Sequence, residues 1–202
     1  KEVRTMQKLL QRVFGVQMDL NEFINEFKDD PIQPALQERS GIRLTCAYNL
    51  FESLICSILT QRNSVWRWNN QARKLAELMG EKYPVEHFMI YAFPDARTIV
   101  RNKFLLKEAT LGYREEYVST TCEYIANRQI TLEKLRTLST NEAKKAILEL
   151  KGVGSKVADM FLLYGLGRMD VPPVDVWVQR GVTNLFFNGK ENINCQHKEC
   201  IE

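Results

Sequence analysis

Between Tyr48 and Leu59 the sequence is apolar nearly all the way round a helix, with Leu50, Phe51, Leu54, Ile55, Ile58 and Leu59 leaving no broad polar stripe. A helix without a solvent face has to be enclosed by other elements, so this run dictates a core built around one central helix. It is too short for a membrane span, and no stretch of the chain approaches the roughly 18 or more uncharged apolar residues that one needs. The flanking sequence offers helices to wrap it. Upstream, Met6, Leu9, Leu10 and Val13 recur at helical spacing until Gly15. Asp19-Leu-Asn-Glu22 resembles a capping box ahead of Phe23, Ile24 and Phe27. Residues 29–45 hold Pro31, Pro34 and Gly41 and read as a loop with at most short helix.

Downstream, Ser64 caps a run of Val65, Trp68, Ala72, Leu75, Ala76 and Met79, with Gly80 just past its end. Pro94-Asp95 opens a short helix through Val100, and Gly112 breaks the chain before a helix over 114–128. Ser139-Thr-Asn-Glu142 is a second capping box, ahead of Ala143, Ala146, Ile147 and Leu150. A tight turn at Gly152 and Gly154 leads to Val157, Ala158, Phe161 and Leu162, and Pro172-Pro173 separates these from a last helix over 174–186. With no alternating strand pattern and no internal repeat, the expected class is all-α. The expected organisation is an N-terminal helical segment, 1–46, packing with the C-terminal lobe. A central helical domain follows over 47–135, and a hairpin-bearing segment over 136–202.

Composition narrows the function. At 202 residues, 45% hydrophobic and 26% charged, the chain can bury a real core and is neither disordered nor low-complexity. A net charge of +3 permits nucleic-acid binding without demanding it. The N-terminus, Lys1-Glu2-Val3-Arg4-Thr5, lacks the layout of a signal peptide, so the expected location is intracellular. Five scattered cysteines, Cys46, Cys56, Cys122, Cys195 and Cys200, do not form a secreted disulfide framework. Cys195 and Cys200 enclose His197 and look like half of a metal site, but no second pair of ligands follows, so no metal is expected.

The chemistry concentrates between Ile147 and Val182. Two glycines in the Gly152-Val153-Gly154 turn allow a positive φ and a close approach to another surface. Amides at the start of the next helix, from Ser155, then point outward together and suit a phosphate. The same turn also suits a hairpin used only for packing. Lys156 stands one turn into that helix beside Val157 and Ala158, which would partly desolvate it, and a lysine amine that has lost its proton is a nucleophile. Asp175 follows two prolines, so its backbone is stiff, and it sits where the last helix should begin. It can serve as an N-cap, as a carboxylate supporting attack by the amine, or as both.

Leu150-Lys-Gly-Val-Gly-Ser-Lys156-Val-Ala-Asp159, followed nineteen residues after Lys156 by Val174-Asp175-Val176, resembles the helix-hairpin-helix and Asp loop of the DNA glycosylase superfamily. Residues 9–41, Asn49 to Gln61, and Leu111-Gly-Tyr-Arg114-Glu-Glu-Tyr117 are most similar to its 8-oxoguanine branch, with a fainter likeness to alkylpurine glycosylases. The resemblance implies two helical lobes with the active site in the cleft between them, and a monomer acting on damaged double-stranded DNA. Gly152, Val153, Gly154 and Ser155 would grip the DNA backbone. Lys156 would attack C1′ of the damaged nucleotide, and Asp175 would assist departure of the base. The expected activity is that of a bifunctional glycosylase and AP lyase, with 8-oxoguanine as the expected lesion and no cofactor or membrane involved.

The resemblance also places Gln61, Arg62 and Asn63 in the gap left by the flipped base. It places Arg67, Tyr113 and Arg114 at the orphan base or wedged in the stack. Met160 and Trp177 would line the base pocket, where the branch commonly carries Cys and His. The endonuclease III branch shares the Lys and Asp and prefers oxidised pyrimidines. It usually carries a four-cysteine iron–sulfur cluster near the C-terminus, where this chain has only Cys195 and Cys200. A non-enzymatic hairpin module is the alternative of another class, and it would have no use for both Lys156 and Asp175.

Overall fold

The computed structural model describes residues 2–187 and residue 189. These fall into two compact units: the described residues within Lys1–Cys46 and Pro173–Glu202, and the continuous stretch Ala47–Pro172. No boundary falls between 135 and 136. The stretch 136–172 belongs with 47–135 because Ala143, Ile147, Leu150, Val153, Val157, Ala158, Phe161 and Leu162 are part of the same core as Leu54 and Val118.

In the larger unit the apolar run becomes α4 (Leu50–Leu59), started by Asn49, whose side chain accepts from the amides of Phe51 and Glu52. Leu54, Ile55, Ile58 and Leu59 have no exposed surface at all. α5 (Val65–Met79), α7 (Arg114–Ala126) and α9 (Ser155–Met160) all pack on it. So does a π-helical turn, Phe161–Leu166, that continues α9. Ser53 and Ser57 are buried within α4, and the Ser57 hydroxyl donates back to the Ser53 carbonyl at 2.8 Å. That bond meets the need of a buried hydroxyl without a partner from outside the helix. α6 (Ala96–Arg101) and α8 (Thr140–Leu148) complete the unit, with two 3₁₀ turns at Lys103–Ala109 and Leu132–Thr137.

The local start signals work as their chemistry requires. The Ser64 side chain accepts from the Arg67 amide, and that of Asp95 from Thr98. Ser139 and Glu142 form both halves of a capping box. The class is helical, with one departure. Lys82–Val85 and Phe88–Tyr91 form an antiparallel hairpin, β1 and β2, pairing Tyr83 with Ile90 and Val85 with Phe88. Its strands are four residues each, and Pro84 interrupts the first, so no alternation could develop. The turn is made by Glu86 at φ 49°, a conformation that composition does not announce in a residue other than glycine.

The smaller unit contains α1 (Glu2–Phe14), α2 (Leu20–Glu26), α3 (Gln33–Glu38) and α10 (Val176–Phe186). Gly15, at φ 59°, ends α1. Asp19 caps α2 by accepting from the amides of Asn21 and Glu22. The Arg43 guanidinium donates to the carbonyls of Gly15 and Met18 at 3.0 and 2.8 Å, which ties the segment after α3 to the α1–α2 corner. Cys195, His197 and Cys200 lie outside the described residues. No helix among the described residues is long and apolar enough to cross a membrane.

Because Leu54 of α4 is fully enclosed, truncation there leaves a cavity that its neighbours cannot collapse into. Leu54→Ala is expected to lower unfolding free energy by about 2–5 kcal/mol, read as a lower urea midpoint at unchanged slope. A loss under about 1 kcal/mol would place α4 at a looser site than its zero exposure indicates.

Candidate active site

α8 and α9 form a helical hairpin around Leu150-Lys-Gly152-Val-Gly154. Its two glycines play different parts. Gly152 has φ 78°, in the region that favours glycine, and a Cβ there would collide with the ring of Tyr117. Gly154 does not take the positive φ expected of it; at φ −95° and ψ 178° it is extended backbone open to any residue. A Cβ built on Gly154 meets nothing within 4 Å. Gly152 is therefore required by the fold itself, whereas Gly154 keeps an outward surface clear. As the N-cap of α9, Gly154 brings no side chain to the amides that open the helix. Val153, by contrast, is buried in the core and anchors the turn.

Lys156 is the second residue of α9 and is exposed. The neighbours expected to shield it, Val157 and Ala158, turn inward and are buried. Asp159 holds the hairpin together. Its carboxylate forms an ion pair with Lys144 of α8 at 2.7 Å and accepts from the Ser155 hydroxyl at 3.2 Å. Only 8% of Asp159 is exposed, so this is a largely buried clamp between the two helices. The i,i+4 spacing of Ser155 and Asp159 was readable as a pair, but Lys144 was not. The cysteine thiols of this unit are poor nucleophiles by comparison. Burial and the nearby Glu52 push Cys56 up to about 12, and burial also raises Cys122.

Asp175 belongs to the smaller unit and caps α10, its carboxylate accepting from the amides of Trp177 and Val178 at 2.9 and 3.0 Å. Trp177 is 71% exposed, and the Arg180 guanidinium lies 5.2 Å from its ring centre. Met160 ends α9 in the larger unit, where its sulfur accepts from the Thr60 hydroxyl at 3.4 Å. That contact ties the lysine helix to the end of α4.

Gln61, Arg62, Asn63, Tyr113 and Arg114 come together in the larger unit. Arg62 is exposed and sits at φ 44°. The Tyr113 hydroxyl donates to the Gln61 carbonyl at 3.1 Å. Arg114 departs from its expected role at the orphan base: only 7% is exposed, and its guanidinium is spent on the backbone. Nε and Nη2 donate to the Gln61 carbonyl, Nη2 also to that of Arg62 at 3.0 Å, and Nη1 to Leu111. Carbonyls at the end of a buried helix need donors, and the fork supplies them. Arg67 is exposed on the first turn of α5, apart from these bonds.

No protein-family model matches the chain. A probable N-glycosylase/DNA lyase of Methanothermobacter thermautotrophicus is 26% identical over 220 residues, covering 97% of this chain and 70% of that protein. The structure of MBOgg1 in complex with a low-affinity DNA ligand superposes with a TM-score of 0.87 at 26% identity, covering 94% of this chain and 66% of that one. An 8-oxoguanine glycosylase/lyase of Clostridium acetobutylicum, in complex with DNA carrying cytosine opposite 8-oxoguanine, matches in fold with a TM-score of 0.86 at 24% identity, again over 66% of its length. In sequence and in fold the chain is similar to DNA glycosylases, among them the probable N-glycosylase/DNA lyase and MBOgg1. It spans about two-thirds of the length of the solved structures it matches.

The two glycines separate stability from surface access. Gly152→Ala is expected to cost about 2–4 kcal/mol, from the left-handed backbone and the clash with Tyr117, measured by chemical denaturation. Gly154→Ala should leave the denaturation midpoint within about 0.5 kcal/mol of wild type. Equal losses at both positions would contradict this division of labour.

Proposed function

We propose that this chain is a bifunctional DNA glycosylase and AP lyase that excises a damaged base, 8-oxoguanine being the first candidate, and nicks the strand. The observation that carries the reading is the exposed amine of Lys156 at the outlet of a hairpin whose turn is kept clear at Gly154. The names of its relatives, and DNA in the neighbouring structures, support the same substrate class. In this reading the amides at Gly154 and Ser155 hold a backbone phosphate, and the target nucleotide is rotated out of the stack so that C1′ is exposed. Nζ of Lys156, as the neutral amine, attacks C1′. The C1′–N bond breaks, its electron pair leaves with the base, and the base takes up a proton. The Asp175 carboxylate, fixed by the amides of Trp177 and Val178, stabilises the positive charge that develops on the sugar. Ring opening gives a protonated Schiff base, which acidifies the C2′ hydrogen. Loss of that proton forms the C2′–C3′ double bond and expels the 3′ phosphate, and water then releases Lys156.

Borohydride added during reaction with an 8-oxoguanine duplex should trap a covalent protein–DNA adduct mapping to Lys156, and Lys156→Gln should abolish both adduct and nicking. Base release with no adduct would make the protein a monofunctional glycosylase. An adduct on another amine would remove Lys156 from its role. Asp175→Asn keeps the shape of the cap but removes the charge, and is expected to slow excision by about 10²–10³ with DNA binding retained. A variant excising at near wild-type rate would leave Asp175 as a cap alone.

A further inference from the structure

Two turns of the larger unit, 60–63 and 110–114, are cross-linked twice. On one side lies the Arg114 fork, which reaches the carbonyls of Gln61 and Arg62. On the other lies Gln71 of α5, a residue that the sequence pattern does not single out. Gln71 is 3% exposed; its Oε1 accepts from Asn63 Nδ2 at 2.9 Å and its Nε2 donates to the Thr110 carbonyl at 2.8 Å. Asn63 Nδ2 also reaches the Leu59 carbonyl at 2.9 Å, so the relay begins at the last residue of α4. Both turns carry a non-glycine residue in the left-handed region, Arg62 at φ 44° and Thr110 at φ 52°. Such conformations are strained and persist only where the surroundings over-determine them. Arg62, Thr110 and Tyr113 face outward from the turns, and Arg62 and Tyr113 carry the largest side chains, the latter 51% exposed.

We infer that Gln71 and Arg114 are positioning residues that lock the two turns into one platform, and that the platform's working groups are Arg62 and Tyr113. This inference rests on the glycosylase function proposed for the chain. Both are buried, and they act through the turn that carries Arg62. A buried amide using both its donor and its acceptor on two different turns has one arrangement, and the fork has one arrangement, so the exposed pair is pre-set before duplex arrives. Their effect must therefore vanish where there is no duplex to wedge.

The test is a double-mutant cycle between Gln71→Met, which keeps side-chain length and removes both hydrogen bonds, and Arg62→Ala. Two readouts are taken: kcat/KM on an 8-oxoguanine duplex, and borohydride trapping on a single-stranded abasic oligonucleotide. Gln71→Met is expected to lower the duplex value by about tenfold or more, as small misplacements do, and to leave single-strand trapping unchanged. In the Arg62→Ala background the same substitution should cost less than about twofold. Additive losses in the cycle overturn the inference, and so does a folded variant that loses both readouts equally. If Gln71→Met does not fold, Gln71→Leu, which also removes both hydrogen bonds, takes its place in the same cycle. Failure of the two ideas can be told apart. Wild-type protein that neither releases the base from the duplex nor traps DNA of either kind sinks the glycosylase function and this inference with it, whereas active wild type with an additive cycle sinks this inference alone.

Discussion

The larger unit depends on the burial of α4. Five apolar side chains, Leu50, Leu54, Ile55, Ile58 and Leu59, can be removed from water only if helices approach from all sides. α5, α7 and α9 meet that demand, and the π turn after α9 fills the remaining face. The lysine helix is therefore not an appendage. Val157, Ala158, Phe161 and Leu162 are as deeply buried as α4 itself, and their inward turn leaves Lys156 on the outside. Core packing and amine exposure are two consequences of one helical phase.

Burying a helix also buries its ends, and α4 ends where backbone carbonyls have no further turn to accept from. The chain answers with side chains brought from elsewhere: Arg114 on Gln61 and Arg62, Asn63 on Leu59, and Gln71 behind them. A guanidinium suits this place because it offers several donors in a fixed plane and cannot lose its charge. It satisfies the two successive carbonyls of Gln61 and Arg62 at once. The requirement created by enclosing α4 thus becomes the means of holding a strained turn with Arg62 at its tip. The Asp159 clamp on the α8–α9 hairpin follows the same logic. It is a mostly buried carboxylate held by a cation from one helix and a hydroxyl from the other.

Much of the fold is legible in the sequence. Ser64, Asp95, Ser139 with Glu142, and Asp175 each mark a helix start, and each makes its cap. They can be read because a cap is settled within three residues of chain. The central place of α4 follows from its lack of a polar face, and the likeness to DNA glycosylases from the Gly152–Asp159 motif with Asp175 beyond it. What the sequence alone misplaces involves partners far away in the chain. Arg114 looks like a DNA contact, but its acceptors lie 52 and 53 residues earlier. Gln71 looks like an ordinary helix residue, but it meets a carbonyl 39 residues later. Which of two neighbouring glycines needs its missing side chain is decided by the ring of Tyr117, and the β1–β2 hairpin by cross-strand pairing of segments too short to announce themselves. Local hydrogen bonds and hydrophobic period determined the helices. Only the packed structure could decide which polar side chains face water and which are consumed in holding the fold, because that choice depends on what stands opposite them.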